Sequence, residues 1–271
     1  MKEIVLEGKK NGMTVLLLTL LGLIAAIALI VLGGIADFPA LFVIGIVWLS
    51  LGWIPFVGLK VLKPQEALVL TLFGKYVGTL KGEGFYFVNP FTTAVNPAAA
   101  TKLNQSGDVK SQTQISVGDK DGAVTLELPT KKMSLKMMTL NNNRQKINDC
   151  LGNPVEIGIA VIWRIVDTAK AAFNVDNYKE YLSLQCDSAL RNIVRIYPYD
   201  VAPNVDTTGD GIADEGSLRG SSEVVAERIR AEIQSKVETA GLEIVEARIT
   251  YLAYAPEIAA VMLQRQQASA I

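Results

Sequence analysis

The chain of 271 residues contains no histidine. That excludes Ser-His-Asp and Cys-His catalysis, histidine-ligated zinc and a histidine pH switch. The groups left for chemistry are carboxylates, lysines, serines and two cysteines. The run Asp206-Thr207-Thr208-Gly209-Asp210-Gly211-Ile212-Ala213-Asp214-Glu215 has calcium-loop character. Asp206, Asp210 and Asp214 offer hard oxygen ligands, and Gly211 suits the sharp turn. Thr208 stands where Asp or Asn is expected, and Ser217 where a bidentate Glu closes such a loop. The preferred reading is a solvated acidic insertion, so neither metal nor cofactor is expected. Ser134 and Lys136 are the residue types of Ser-Lys catalysis, but no nucleophile elbow surrounds them. Cys150 and Cys186 lack metal-ligand spacing and any histidine to activate them. They read as thiols of a reducing compartment. With 26 Lys and Arg against 27 Asp and Glu, the net charge is -1 and no basic field calls for nucleic acid. No catalytic residue emerges, and no enzyme is expected.

If the chain does no chemistry, its function rests on what its elements hold and where. Half of the residues are hydrophobic, and the excess is concentrated in the first quarter. Between Met13 and Leu59 the only ionisable side chain is Asp37. Thr14–Leu32 and Phe38–Leu59 are each long enough to cross a bilayer, at about 20 residues per crossing. Gly33, Gly34, Asp37 and Pro39 interrupt the run where a hairpin needs a turn. Trp48 and Trp53 suit a membrane interface. A cleaved signal peptide is not expected, because a second apolar run follows the first at once. Two arrangements fit: a pair of transmembrane helices with a short outer turn, or a re-entrant hairpin. Lys2, Lys9 and Lys10 precede the hairpin and Lys60 and Lys63 follow it. Cations on both flanks place both on the cytoplasmic side.

Beyond the hairpin the pattern is that of an α+β domain. Glu66–Phe73 reads as a strand apolar on both faces. Tyr76–Leu80 and Phe85–Val88 follow, with Gly74 and Gly82-Glu83-Gly84 as turns, giving a tight β-meander at the membrane exit. Residues 92–111 read as a loop. Strands are expected at Gln112–Val117, Ala123–Leu128, Lys132–Leu140, Arg144–Cys150 and Pro154–Val166, the last with clear period-two alternation. Asp167 is placed to cap a helix over Thr168–Phe173. Helices over Tyr178–Ile196 and Ser222–Ala240 come next, separated by the polar loop 200–216. In the second, Val225, Ile229, Ile233 and Val237 form an i, i+4 stripe, and Gly241 is a C-terminal stop. Leu242–Tyr254 returns to strand. Pro256 opens a last helix over Glu257–Ile271, rich in Ala and Gln.

The order of these blocks resembles the SPFH domain, also called band 7 or prohibitin-homology. The resemblance rests on Phe73-Gly74-Lys75-Tyr76-Val77-Gly78 through Gly82-Glu83-Gly84-Phe85-Tyr86-Phe87-Val88-Asn89-Pro90-Phe91. It rests also on Asn153-Pro154-Val155, Ala160-Val161-Ile162-Trp163-Arg164-Ile165-Val166-Asp167, Ala189-Leu190-Arg191 and Ala255-Pro256-Glu257-Ile258-Ala259. It covers roughly residues 60–268. Members often carry Pro between the two glycines where this chain has Glu83. The resemblance implies a stomatin-, flotillin- or prohibitin-like membrane scaffold that assembles into large oligomers through a C-terminal coiled coil. It supplies no catalytic residues.

The expected organisation is therefore a short cytoplasmic segment (1–12), a membrane hairpin (13–59), an SPFH domain of mixed sheet and helices (60–255) and the start of an assembly helix (256–271). Lys60, Lys63, Lys75 and Lys81 are expected to meet anionic headgroups. Val225, Ile229, Ile233, Val237, Ile258 and Met262 are expected at a self-association interface. The expected partners are the bilayer and further copies of the chain. The expected location is the inner (plasma) membrane, with the domain in the cytoplasm. The alternative is a regulatory subunit that binds and modulates a membrane protease.

Overall fold

The structure, a computed structural model, describes residues 2–7, 10–36, 38–101, 103, 114–117, 124–127, 130–142, 144–200 and 216–269. Side chains at 114–117, 124–127 and 265–269 are excepted. Asp37 and the candidate calcium loop with Asp206, Asp210 and Asp214 lie outside the described residues.

Two apolar helices come first. α1 spans Gly12–Ile35 and α2 spans Pro39–Leu51, with Pro39 at the first helical position, where its missing N–H costs nothing. Gly52 and Trp53 keep right-handed helical angles, and the short α3 over Ile54–Val57 continues the path. By length and composition, Gly12–Ile35 and Pro39–Val57 can each cross a membrane. The two helices approach closely at small residues: Gly45 lies against Ile30 and the Ala26 carbonyl, and Gly33 against the backbone of Phe42. Packing of this kind suits helices in lipid, where apolar bulk alone gives no preference for a neighbour. Outward-facing residues such as Leu21, Ile24 and Ile35 are more than half exposed, so the protein itself does not cover them.

The next block is a pair of small sheets. β1 (Leu59–Leu62) pairs antiparallel with β4 (Gly84–Phe87). β2 (Glu66–Leu72) lies between β3 (Lys75–Lys81) and β5 (Thr92–Val95). The expected meander is therefore corrected: β4 leaves β3 and pairs with β1. β5 falls within the stretch read as a loop, and its four residues become a strand because β2 has a free edge there. β2 is buried along almost its whole length, as its two apolar faces require. Leu62, Leu68, Leu70, Leu80, Tyr86 and Val88 form the core of this block.

β6 (Gln114–Val117) and β7 (Val124–Glu127) make a separate antiparallel pair. β8 (Met133–Ser134) joins the edge of β2 near Glu66. The expected single strand over Lys132–Leu140 is thus two, β8 and β9 (Met138–Asn141). β10 (Gln145–Asn148) and β9 share one side of the long β11 (Pro154–Ile165), and β12 (Leu242–Tyr254) runs along the other. Val155, Ile157, Ile159, Val161, Trp163 and Ile165 are all buried, the period-two face expected of β11.

Helices cover that face. α4 (Thr168–Phe173) is capped by Asp167, whose side chain accepts from the Lys170 N–H at 2.9 Å. α5 (Tyr178–Val194) is capped by the Asn177 side chain. α6 (Ser222–Val237) ends in a single 3-10 turn and then Gly241, which is left-handed at φ 69°. The Gly241 carbonyl accepts from the N–H groups of Val166 and Asp167, so this stop also ties β12 to the end of β11. The Gln234 side chain accepts from the Ile244 N–H at 2.6 Å and donates to the Leu242 carbonyl at 3.2 Å, standing in for a neighbouring strand where β12 begins. α7 (Pro256–Ser269) leaves from the far end of β12.

Candidate functional site

Strand direction decides which residues of the small β block face the helical hairpin. β1 leaves the hairpin at Leu59 and β4 returns to it at Phe87, its pairing partner. The Val88 N–H then donates to the Gly58 carbonyl at 3.0 Å. β2 runs back in the same sense, ending at Leu72 opposite Lys75 and Thr92. The Thr92 N–H donates to the Asn89 carbonyl at 2.9 Å. The β2–β3 and β4–β5 turns therefore lie at the hairpin end of the block. The β1–β2 and β3–β4 turns lie at the opposite end.

This divides the four lysines expected at a membrane surface. Lys75 opens β3 at the hairpin end and is exposed, and Lys60 is the second residue of β1 at that end. Lys63 and Lys81 belong to the opposite end, Lys81 about 20 Å from Lys75 along β3. Lys81 is also engaged, its Nζ lying 2.6 Å from a Glu3 carboxylate oxygen. Strand order therefore sets Lys60 and Lys75 at one end of the block and Lys63 and Lys81 at the other.

The segment before α1 is bound to the same block. Val5 bridges Thr79 in parallel, the Leu6 N–H donates to the Thr79 carbonyl at 2.9 Å, and the Thr79 N–H donates to the Ile4 carbonyl at 2.8 Å. Glu3 Oε1 accepts from the N–H and hydroxyl of Thr168, the first residue of α4. A carboxylate there also meets the positive end of the helix. Burial pushes the Glu3 carboxyl up, but the Lys81 and Thr168 hydrogen bonds outweigh it and hold the group below the usual glutamate range. The chain on both sides of the helical hairpin thus attaches to one body.

The expected assembly stripe divides too. Val225, Ile229, Ile233 and Val237 are fully buried in the chain's own core, against β12 and α5. They are corrected from interface to core: a helix stripe shows that a face is apolar, not which surface covers it. On α7, Ile258 and Met262 are half-buried, while Val261 and Leu263 are exposed. An open groove of about 460 Å³ lies beside the start of α5, lined by Phe173, Val175, Asp176, Glu180, Tyr181 and Leu184.

The remaining chemical candidates are structural. Ser134 is buried, and its hydroxyl accepts from the Lys136 backbone N–H at 3.3 Å, a turn contact. Burial, with Asp187 alongside, pushes the Cys186 thiol up to about 12. Burial and Asp149 also raise Cys150. Among the described residues, no group of three or more Cys, Asp and Glu is arranged to hold a metal ion.

Glu3 and two exposed aromatics, Phe73 and Phe91, join the candidates only in the folded chain. Phe73 carried a readable signal: a bulky side chain directly before a turn glycine, where Asn or Asp is the usual residue.

No curated protein matches the chain. The family model for the SPFH domain, or Band 7 family, matches residues 60–271, well over half the chain, beginning at β1 and running through α7. With two apolar helices ahead of a mixed-sheet domain that ends in a helix, the chain belongs to the SPFH domain / Band 7 family.

Proposed function

We propose that the protein is a membrane-anchored, non-catalytic scaffold that self-associates and so organises the bilayer or membrane proteins around it. The observation that carries this reading is α7, whose Val261 and Leu263 are exposed on a helix leaving the domain. The hairpin confines each copy to the membrane plane. Both its flanks attach to one small β block, so the domain is mounted close to the bilayer. The cations that flank the hairpin in the sequence, Lys2, Lys9 and Lys10 before it and Lys60 and Lys63 after it, support a cytoplasmic domain at the inner (plasma) membrane. Ile258, Val261, Met262 and Leu263 on this helix form the contact between copies.

Light scattering of the detergent-extracted protein, with negative-stain images of the same sample, tests the reading. A large uniform particle that Leu263→Asp breaks into small units supports it. A monomer in the unaltered protein overturns self-association. Capture of a membrane protease by that monomer would then favour a regulatory subunit.

A further inference from the structure

Phe73 and Phe91 occupy neighbouring backbone positions at the hairpin end of the β block. Leu72 pairs with Thr92, and each phenylalanine is the next residue outward, Phe73 just past the end of β2 and Phe91 just before β5. They are 89% and 63% exposed, so the domain's own core covers neither ring. Phe73 also adopts φ 48°, a left-handed angle that a bulky side chain avoids. Any of Gly, Asn or Asp would sit there more easily, so local backbone preference does not account for the ring. Phe91 is held firmly. Its N–H donates to the Asn89 side chain at 3.0 Å, and the Thr92 hydroxyl donates to the Asn89 carbonyl at 2.7 Å.

From this geometry we infer that Phe73 and Phe91 form a wedge that enters the leaflet at the base of the hairpin, a second membrane contact separate from the helices. The inference deepens the anchoring reading above and rests on it. The loop bearing Phe91 follows Val88, which is hydrogen-bonded to Gly58 directly after α3. Gly12, at the start of α1, abuts Phe85 of β4, so the end of β4 lies alongside the first apolar turns of α1 and does not stop short of them. Charge agrees with a lipid partner. Between Gly58 and Val95 the only acidic residues are Glu66 and Glu83, both at the end away from the hairpin. Lys75, beside Phe73, and Lys60 are the cations at the hairpin end. Apolar rings flanked by lysine suit an anionic leaflet, where the rings enter the acyl boundary and the ammonium groups stay at headgroup level.

The test uses the full chain with Cys150→Ser, reconstituted in vesicles of phosphatidylcholine and phosphatidylglycerol. An environment-sensitive fluorophore is attached at a single introduced cysteine: Phe73→Cys, Phe91→Cys, Glu83→Cys at the opposite end, or Ile27→Cys within α1. Labels at 73 and 91 are expected to emit to the blue, to lose most of their emission to a shallow spin-labelled lipid, and to resist iodide. The label at 83 is expected to respond to iodide only. If the label at 27 is quenched by lipid while 73 and 91 behave like 83, the wedge is overturned and the anchor stands. If the label at 27 is quenched by neither a shallow nor a deep spin-labelled lipid, the anchor itself falls. If 73 and 91 resist both quenchers, protein covers them and the lipid assignment is overturned. Unlabelled Phe73→Asn and Phe91→Ser are expected to unfold no earlier than the parent, since neither ring belongs to a core.

Discussion

Glu3 and Thr168, 165 residues apart, are joined twice: one carboxylate oxygen accepts from the Thr168 N–H at 2.9 Å and from its hydroxyl at 2.5 Å. The other oxygen takes the Lys81 ammonium at 2.6 Å. The segment before the first apolar helix is thereby bound to the domain that follows the second.

Replacing Glu3 with Gln should loosen that segment by about 1.5–3 kcal/mol, the range for hydrogen bonds to charged groups. Amide exchange at Leu6 and Thr79 should quicken while exchange in β11 stays unchanged. Equal exchange at Leu6 in both proteins would mean that the contact holds nothing. The pH dependence has a definite sign. The folded carboxyl is held below its unfolded value of about 4.3, so its contribution is complete above that pH and is lost as pH falls through the folded value. Glu66 behaves alike: burial pushes it up, but the Lys63 N–H and the Lys132 ammonium bring it below the usual range. Stability should therefore drop in acid below about pH 4, less steeply in Glu3→Gln.

Ile233 and Leu263 should respond in opposite ways. Ile233 is fully buried, so Ile233→Ala should cost about 2–5 kcal/mol in unfolding of the detergent-solubilised protein. Leu263 is exposed, so Leu263→Ala should stay within about 0.5 kcal/mol of the parent and act on particle mass. A stable Ile233→Ala that fails to assemble would restore α6 as an interface.

The hairpin offers a paired test. A Cβ at Gly45 would sit 2.6 Å from Ile30 and 3.0 Å from the Ala26 carbonyl, whereas at Gly34 nothing lies within 4 Å. Gly45→Val should push α1 and α2 apart and lower the thermal midpoint in detergent well below that of Gly34→Val. Matching midpoints would show that the close approach contributes nothing.

The thiols should be slow. With Cys186 pushed up to about 12, its thiolate fraction at pH 8 is on the order of one in ten thousand. The native protein should take at most one equivalent of iodoacetamide at pH 8, at Cys150, and two once unfolded. Modification of Cys186 in the native state would show that α5 opens readily.

Several features follow from the sequence because their causes are local. Uncharged runs of helical length specify the hairpin, and the described helices follow them closely. Asp167 before Thr168, Gly241 after the 3-10 turn and the alternation in Pro154–Ile165 mark elements where the structure has them. Helix caps, chain breaks and side-chain periods act within a few residues, so they are written along the chain.

Other features depended on partners distant in sequence, and only the tertiary structure decided them. Thr92–Val95 is a strand because β2 offers an edge, and Gly84–Phe87 pairs with β1 because the chain folds back to Gly58. The stripe Val225, Ile229, Ile233 and Val237 was legible as apolar, but that β12 and α5 cover it was not. Lys75 and Lys81 look alike in the sequence, yet strand direction sets one beside the hairpin and strand pairing sets the other within reach of Glu3. A hydrogen-bonding edge or an apolar face requires some partner without naming it, and the choice is made by which segments the folded chain brings within reach.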